Sequence, residues 1–249
     1  MRVFFLLILL SACRPAHELT LPARQAGAVT GSELYRQAAG MKWDEREPII
    51  EKEILSGNLP AFLRKFVRIN TSIIDSGKTI KAYYFVSPDY LSVGSNDDWA
   101  RVPLTPMTAQ RIADSLQCFL PTRKMVDDIY KQATVKLEPV PMFAFRDSAI
   151  TFWHHHLIIE GQRKGRKGLI AGIKKDVLMS KRPDRVTIYG WHKLDGKSIQ
   201  PLYSGHVNWY VDYSHGIRLV YKRINVRGRW MNYEDVLNHP VYKKLLSDE

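Results

Sequence analysis

The feature that most constrains the fold is a change in hydrophobic period near Gly168. Before this glycine, apolar residues recur mostly at helical spacing, and over residues 168–233 they alternate as in strands. Turn sequences at Asp195-Gly196 and Arg227-Gly228 divide the later segment. Helices that come first and strands that come later, without regular strand and helix alternation, predict an α+β fold. We expect a mainly antiparallel sheet in the C-terminal half.

The N-terminal half predicts helices and one hairpin. Residues 66–74 and 79–86 are rich in β-branched and aromatic residues and flank a turn at Asp75 to Lys78. Capping residues and apolar stripes predict helices that begin after Ser32, Thr105, Thr122 and Ser148, with a short closing helix near residues 233–246.

The first residues of the chain have the pattern of an export signal. Arg2 precedes an apolar run from Val3 to Leu10, which is too short to span a bilayer, and small residues follow. Residues 1–12 are therefore predicted to be a signal peptide. The segment Leu10-Ser11-Ala12-Cys13 resembles the lipobox of bacterial lipoproteins. This resemblance implies that Cys13 becomes the lipid-modified first residue, with palmitate among its acyl chains.

The rest of the chain is predicted to be a tether followed by one domain. Residues 13–31 are rich in Ala, Pro, Gly and Thr and predict a disordered tether, and residues 32–249 predict a single α+β domain. Once Cys13 is lipidated, Cys118 is the only thiol left, so no intramolecular disulfide can form. We expect an exported protein that is lipid-anchored to a bacterial membrane.

The net charge of the chain limits the classes of molecule that it is expected to bind. The formal charge is +12, which in an exported protein points to anionic lipids and envelope polymers rather than to nucleic acid. The expected partners are the membrane, through the N-terminal lipid, and an anionic envelope polymer or peptide.

The strongest functional candidate is the segment at residues 205–218. Read as a strand, it places polar side chains on one face and apolar ones on the other, because side chains alternate. The polar groups are of the types used in proton transfer, nucleophilic attack and metal binding. The candidate site residues are His206, Tyr210, Asp212, Ser214, His215, Arg218 and, from a neighbouring strand, His192. The alternative is that the two histidines are buried and satisfied by Asp212 and backbone carbonyls.

Two chemistries are open at this segment. In the first, His206, Asp212 and His215 hold a divalent metal such as zinc, and the spacing of the first two resembles the ligands of zinc D-alanyl-D-alanine peptidases. In the second, Cys118 is a nucleophile activated by His206 or His192. In either case Arg218 is expected to hold an anionic group of the substrate.

A third route comes from a family resemblance. The string Ser214-His215-Gly216-Ile217-Arg218-Leu219 resembles the signature of L,D-transpeptidases but lacks their nucleophilic cysteine, so transpeptidation by that mechanism is excluded. The pattern from His206 to Arg218 also resembles a family of uncharacterised exported bacterial proteins, which implies no activity.

These observations lead to one leading functional hypothesis and one rival. We expect a lipid-anchored envelope protein that hydrolyses peptidoglycan or another envelope polymer. The rival is a non-catalytic lipoprotein that binds a saccharide or peptide in the same cleft. The run His154-His155-His156 is a weaker candidate, because three adjacent helical side chains cannot all face one ion.

Overall fold

The computed structural model describes residues 17–249. The signal peptide and the lipidation site predicted at residues 1–13 lie outside the described residues. The helices are α1 (Gly31–Gln37), α2 (Trp43–Leu55), α3 (Pro106–Ser115), α4 (Arg123–Gln132), α5 (Ala149–Arg163), α6 (Tyr233–Asn238) and α7 (Lys243–Leu246).

The strands are mostly short. They are β1 (His17–Glu18), β2 (Lys65–Asp75), β3 (Lys78–Val86), β4 (Ser92–Gly94), β5 (Trp99–Arg101), β6 (Cys118–Phe119), β7 (Val135–Lys136), β8 (Ile170–Ala171), β9 (Lys175–Val177), β10 (Ile188–His192), β11 (Ser198–Tyr203), β12 (His215–Gly216), β13 (Val220–Tyr221), β14 (Arg223–Val226) and β15 (Arg229–Asn232). The predicted α+β class is confirmed.

The largest sheet is antiparallel and is built on the predicted hairpin. Its strands run in the order β1, β2, β3, β13 and β6, and the β14–β15 hairpin pairs with β3. The register of β2 and β3 continues to Asp75 opposite Lys78, at the turn expected from the sequence. One face buries side chains of alternate residues, among them Ile69, Ile80 and Tyr84, in a shared apolar core.

A second sheet carries the candidate site. Its order is β11, β10, β9 and β12. The short strand β12 runs parallel to β9, so that His215 lies opposite Lys175 and Gly216 opposite Asp176. This pairing brings the segment after Gly205 beside two charged residues of β9.

Side-chain caps fix several helix starts. The hydroxyls of Thr122 and Ser148 accept the backbone N–H groups of the third residue after them, as expected for α4 and α5. The first helix differs from the prediction, because Thr30 caps it and Ser32 lies inside it. The Thr105 hydroxyl donates to Glu47 at 2.6 Å and makes no cap hydrogen bond for α3.

The described part of the predicted tether is packed against the domain, so the expectation of disorder is corrected for residues 17–31. Leu19 is buried in the main core, and its N–H donates to the carbonyl of Arg64 at 2.8 Å. Arg24 donates to the Asn58 side chain at 2.7 Å. Apolar burial and side-chain hydrogen bonds compensate for the ordering of this segment, which composition alone did not reveal. Within residues 17–249, no helix is long and apolar enough to cross a membrane.

Candidate functional site

The segment predicted as one strand is mostly an irregular loop. Only His215–Gly216 forms a strand, and Val207 makes an isolated bridge with Arg185. Two turns break the alternation: the N–H of Tyr210 donates to the carbonyl of Val207, and that of His215 to the carbonyl of Asp212. The Asp212 carboxylate also accepts the backbone N–H of Ser214. Such side-chain to backbone hydrogen bonds compete with a strand ladder, which is why alternation misled the prediction.

The loop nevertheless gathers most of the predicted side chains around Asp212. One carboxylate oxygen accepts from Arg146 at 2.8 Å and from the Tyr210 hydroxyl at 2.9 Å. The other accepts from the backbone N–H of Ser214 at 2.8 Å and from its hydroxyl. Asp212 and Ser214 are buried, whereas the Arg146 side chain is 42% exposed. Arg146 links this network to the surface, and sequence reasoning missed it because it lies far away in the chain.

Two aromatic contacts join His206 to this network. Its ring stacks on Tyr210 with a centroid distance of 4.2 Å and meets Tyr203 edge-on at 5.0 Å. His206 is half-buried, and this burial lowers its pKa. It is therefore a neutral imidazole at neutral pH, and a solvent-reachable one.

His215 lies deeper in the cluster. Its side chain is 1% exposed, and neither ring nitrogen has a hydrogen-bond partner among the described residues. Its ring meets that of Tyr210 edge-on at 5.8 Å. Burial lowers the pKa of His215 to about 4, even though Asp212 opposes this shift. The imidazole is thus neutral at neutral pH, and its unpaired nitrogens keep a capacity for one more polar contact.

Asp212 is the negatively charged residue of the cluster at neutral pH. Burial alone would raise its pKa, but the neighbouring His215, which is protonated in acid, and the hydrogen bonds from Ser214 outweigh burial. They hold the pKa of Asp212 well below its usual range. At neutral pH His215 has lost its proton, so Arg146 is the ionised partner in direct contact.

A second buried layer lies behind the cluster. The Lys174 ammonium donates to the carbonyl of Tyr213 and lies 3.0 Å from Nδ1 of His155. Burial lowers the pKa of Lys174 to about 7. The ammonium of Lys175, the next residue, lies over the Trp191 ring at 5.2 Å, and burial lowers its pKa although the Asp212 charge opposes this. Of the three consecutive histidines, His155 and His156 are buried, and only His154 is exposed.

A cavity opens beside Tyr210. It measures about 410 Å³ and is lined by side chains that include Trp43, Arg46, Trp209 and Tyr210. Tyr210 therefore has two roles: its hydroxyl bonds Asp212, and its ring forms part of the cavity wall. Aromatic walls with a few polar groups are typical of small-ligand and saccharide sites.

Arg218 does not join this site, although the sequence predicted that it would hold a substrate group there. It is fully buried and donates to the carbonyls of Ser87 at 2.9 Å and Ile170 at 2.7 Å. Its guanidinium also lies 4.2 Å above the Tyr90 ring and 4.0 Å from Asp176. Arg218 ties three chain segments together, and its donors are directed at the backbone.

His192 also belongs to another cluster. Its Nε2 lies 3.0 Å from Asp127, which also accepts from the Tyr189 hydroxyl at 3.0 Å. Tyr130 stacks on the His192 ring at a centroid distance of 4.4 Å. The expectation that His192 works beside Asp212 is therefore corrected, because α4 provides its partners.

The structure gives the thiol route no support. Cys118 lies in the apolar core, and its sulfur contacts the carbonyl of Leu116 at 3.3 Å. Burial raises the pKa of this thiol. A buried protonated thiol is a poor nucleophile.

The metal route has no ready ligand set. Among residues 17–249, no three His, Cys, Asp or Glu side chains converge to hold an ion. The Asp212 oxygens already accept from Arg146, Tyr210 and Ser214. A metal at His206, Asp212 and His215 would have to displace these donors.

Comparisons with protein-family models, with curated proteins and with solved structures find no match to the chain.

Proposed function

We propose that this chain is an exported, lipid-anchored protein of the bacterial envelope that hydrolyses peptidoglycan or a similar envelope polymer at the Asp212 cluster. One observation carries the proposal: Tyr210 connects a buried carboxylate to the wall of an aromatic cavity. A substrate in the cavity would lie beside the Tyr210 phenol, which stacks on the neutral imidazole of His206 and shares the Asp212 carboxylate with the guanidinium of Arg146. These groups are sufficient for hydrolysis of an amide or ester by general acid–base chemistry.

His206 is the proposed general base. Its neutral ring takes a proton from water, the resulting hydroxide attacks the carbonyl carbon, and the protonated imidazole returns the proton to the leaving amine or alcohol. The bond from the carbonyl carbon to the leaving group breaks, and no other reactant is needed. The Asp212 charge opposes the burial that lowers the pKa of His206 and so stabilises the protonated imidazole, while Arg146 binds an anionic substrate group.

Digestion of purified peptidoglycan sacculi tests this proposal. The wild-type protein should release soluble peptidoglycan fragments, and His206→Ala should abolish release while leaving the melting temperature nearly unchanged. His154→Ala is the matched control, because His154 is exposed and lies on α5. Equal release by wild type and His206→Ala would refute the assignment of the base.

Metal dependence is a separate arm of the same assay. We propose zinc or another divalent ion only as a competing version that uses His206, Asp212 and His215. That version predicts loss of release with a chelator and recovery with added zinc. Activity that is insensitive to the chelator would support the metal-free route.

The aromatic cavity favours a second candidate function, binding without hydrolysis. The indoles of Trp43 and Trp209 and the phenol of Tyr210 line the same cavity and could stack on sugar rings. Cosedimentation with sacculi without release of soluble fragments would favour this role. Trp209→Ala should then abolish cosedimentation, and Phe143→Ala, which removes an exposed aromatic ring outside the cavity, should not.

The export and lipid proposal rests on the apolar run and on Cys13 and has its own test. Wild-type cells fed radiolabelled palmitate should label the protein and retain it in the membrane fraction. Cys13→Ser should lose the label and release the protein. An unlabelled wild type together with a membrane-bound Cys13→Ser variant would contradict lipidation.

A further inference from the structure

The outer face of the main sheet carries a row of polar and aromatic residues that the Asp212 site does not use. The register aligns Asn70 with Tyr83, Tyr83 with Asn225, and Asn225 with Trp230. This row crosses four strands, β2, β3, β14 and β15. The Trp230 side chain is 42% exposed at its end.

A second row beside it is basic. Lys81 lies opposite Ser72, and the N–H of Arg227 donates to the carbonyl of Lys81 at 3.1 Å. Arg68 stands on the other side of the aromatic row, with its guanidinium 3.7 Å from the Tyr83 ring centroid. Its Nε donates to Asn70 at 3.0 Å, which fixes the direction of the guanidinium. The stack and the hydrogen bond pre-orient Arg68 for an anion.

Helix α4 borders these rows at the edge of β2 and closes one side of the groove. The Gln132 side chain bonds both backbone groups of Asn70, at 3.0 and 2.9 Å, and so fixes the helix to the edge of β2. Lys124 and Lys131 project from the same helix into the groove. We call the resulting space of about 1090 Å³ the basic groove.

The charge of the basic groove has one dominant sign. Its lining has five basic residues, Arg68, Lys81, Lys124, Lys131 and Arg227, and one acidic residue, Asp128, which pairs with Lys124 at 2.6 Å. Five minus one leaves a net charge of +4. Within residues 17–249, no ion pair neutralises the other four cations. A concave surface with one sign of charge concentrates its field on a bound anion.

We propose that the basic groove binds an extended anionic chain with repeating phosphate groups and without nucleobases. The cations lie along both sides of a strip that crosses several strands, which fits a linear polymer better than a single small anion. The concave shape fits a chain better than a flat bilayer. This site extends the proposed envelope role, but its test uses no hydrolysis, so it can succeed or fail separately from the hydrolase proposal.

The aromatic residues of the groove favour a chain without bases. Arg68 covers a face of the Tyr83 ring, and Trp230 stacks on Phe85 with a centroid distance of 6.2 Å. Proteins that bind single-stranded nucleic acid present a series of open ring faces on which successive bases stack. Here only Trp230 offers an exposed indole, which gives room for one ring and not for a series.

The test measures binding of the full-length protein to fluorescently labelled inorganic polyphosphate at several salt concentrations. The double variant Lys81→Ala and Arg227→Ala should weaken binding at least tenfold. It should also reduce the salt dependence by about 0.7 per lost contact, as for single-stranded polyanions. The control Lys167→Ala and Lys197→Ala removes the same charge at two exposed sites outside the groove. Unchanged melting temperatures establish that both variants fold.

The controls also decide between ligands. Tight polyphosphate binding that only the groove variant weakens supports the proposal. An equal loss in both variants, or no binding by the wild type, overturns it. Tighter binding to a single-stranded oligonucleotide of equal charge would assign the groove to nucleic acid. Tighter binding to phosphatidylglycerol vesicles that the groove variant weakens and the control variant does not would assign it to a membrane. Either result overturns the proposal.

Discussion

Replacing Asp212 by alanine should cost both function and stability, because this carboxylate is buried and accepts four hydrogen bonds from three residues. Its removal leaves the Ser214 N–H and hydroxyl without an acceptor in a fully buried position. Each unsatisfied buried donor costs about 1–3 kcal/mol. Arg146 is 42% exposed and can rehydrate, so its ion pair is discounted. The expected total is about 3 kcal/mol.

This loss should be visible as a lower melting temperature. For a chain of this size each kcal/mol corresponds to about 2–4 °C, so Asp212→Ala should melt about 6–12 °C below the wild type. His206→Ala is the comparison, because its half-buried ring has no side-chain hydrogen bond in the described structure and should melt within about 2 °C of the wild type. Thermal unfolding followed by circular dichroism measures both.

The pH dependence provides an internal check. The folded-state pKa of Asp212 lies below its unfolded value, so its stabilisation is present above the ordinary carboxyl pKa and is lost as pH falls. The gap between wild type and Asp212→Ala should therefore be widest at neutral pH and shrink below about pH 4. A variant that melts within about 2 °C of the wild type at neutral pH would refute the network described for Asp212.

Two further predictions concern residues around Tyr90. Burial raises the pKa of Asp176 to about 6, so its contribution to stability should be lost as pH rises from about 4 through 6. Asp176→Asn should therefore flatten this part of the pH profile of the unfolding free energy, measured in urea. An unchanged profile would contradict this prediction. A methyl group on Gly216 would lie 2.5 Å from the buried Tyr90 ring and 2.6 Å from Cβ of Lys174, so Gly216→Ala should cost about 1–3 kcal/mol. Gly161→Ala, where nothing lies within 4 Å, should instead stabilise α5 by about 0.5–1 kcal/mol; equal urea midpoints for the two variants would exclude the clash.

The elements with strong local signals were predictable from the sequence. The β2–β3 hairpin and the starts of α4 and α5 rest on turn and capping residues that act within a few positions. Such interactions are nearly independent of the rest of the chain. The packing of residues 17–31 was not predictable, because it depends on contacts with Asn58 and Arg64.

The candidate site was predicted for a reason that proved wrong. Alternation along a strand was expected to bring His206, Tyr210 and Asp212 together, whereas turns bring them together around the carboxylate. Arg146 could not be found this way, because its pairing with Asp212 is a long-range contact. Arg218 has the residue type of an anion binder, but its burial is decided by the carbonyls of distant segments.

The depth of the Asp212 cluster separates the residues that should control stability from those that should control function. Asp212 is 1% exposed and Ser214 is 0% exposed, so a ligand in the cavity meets them only through their neighbours. Those neighbours are Tyr210 and Arg146, which donate to the same oxygen of the Asp212 carboxylate and also reach the surface. Substrate charge would therefore act on Arg146 and proton transfer on His206, while Asp212 holds Arg146 directly and His206 through Tyr210. Substitutions at Arg146 and His206 should change activity more than stability, and substitutions at Asp212 and Ser214 should change both.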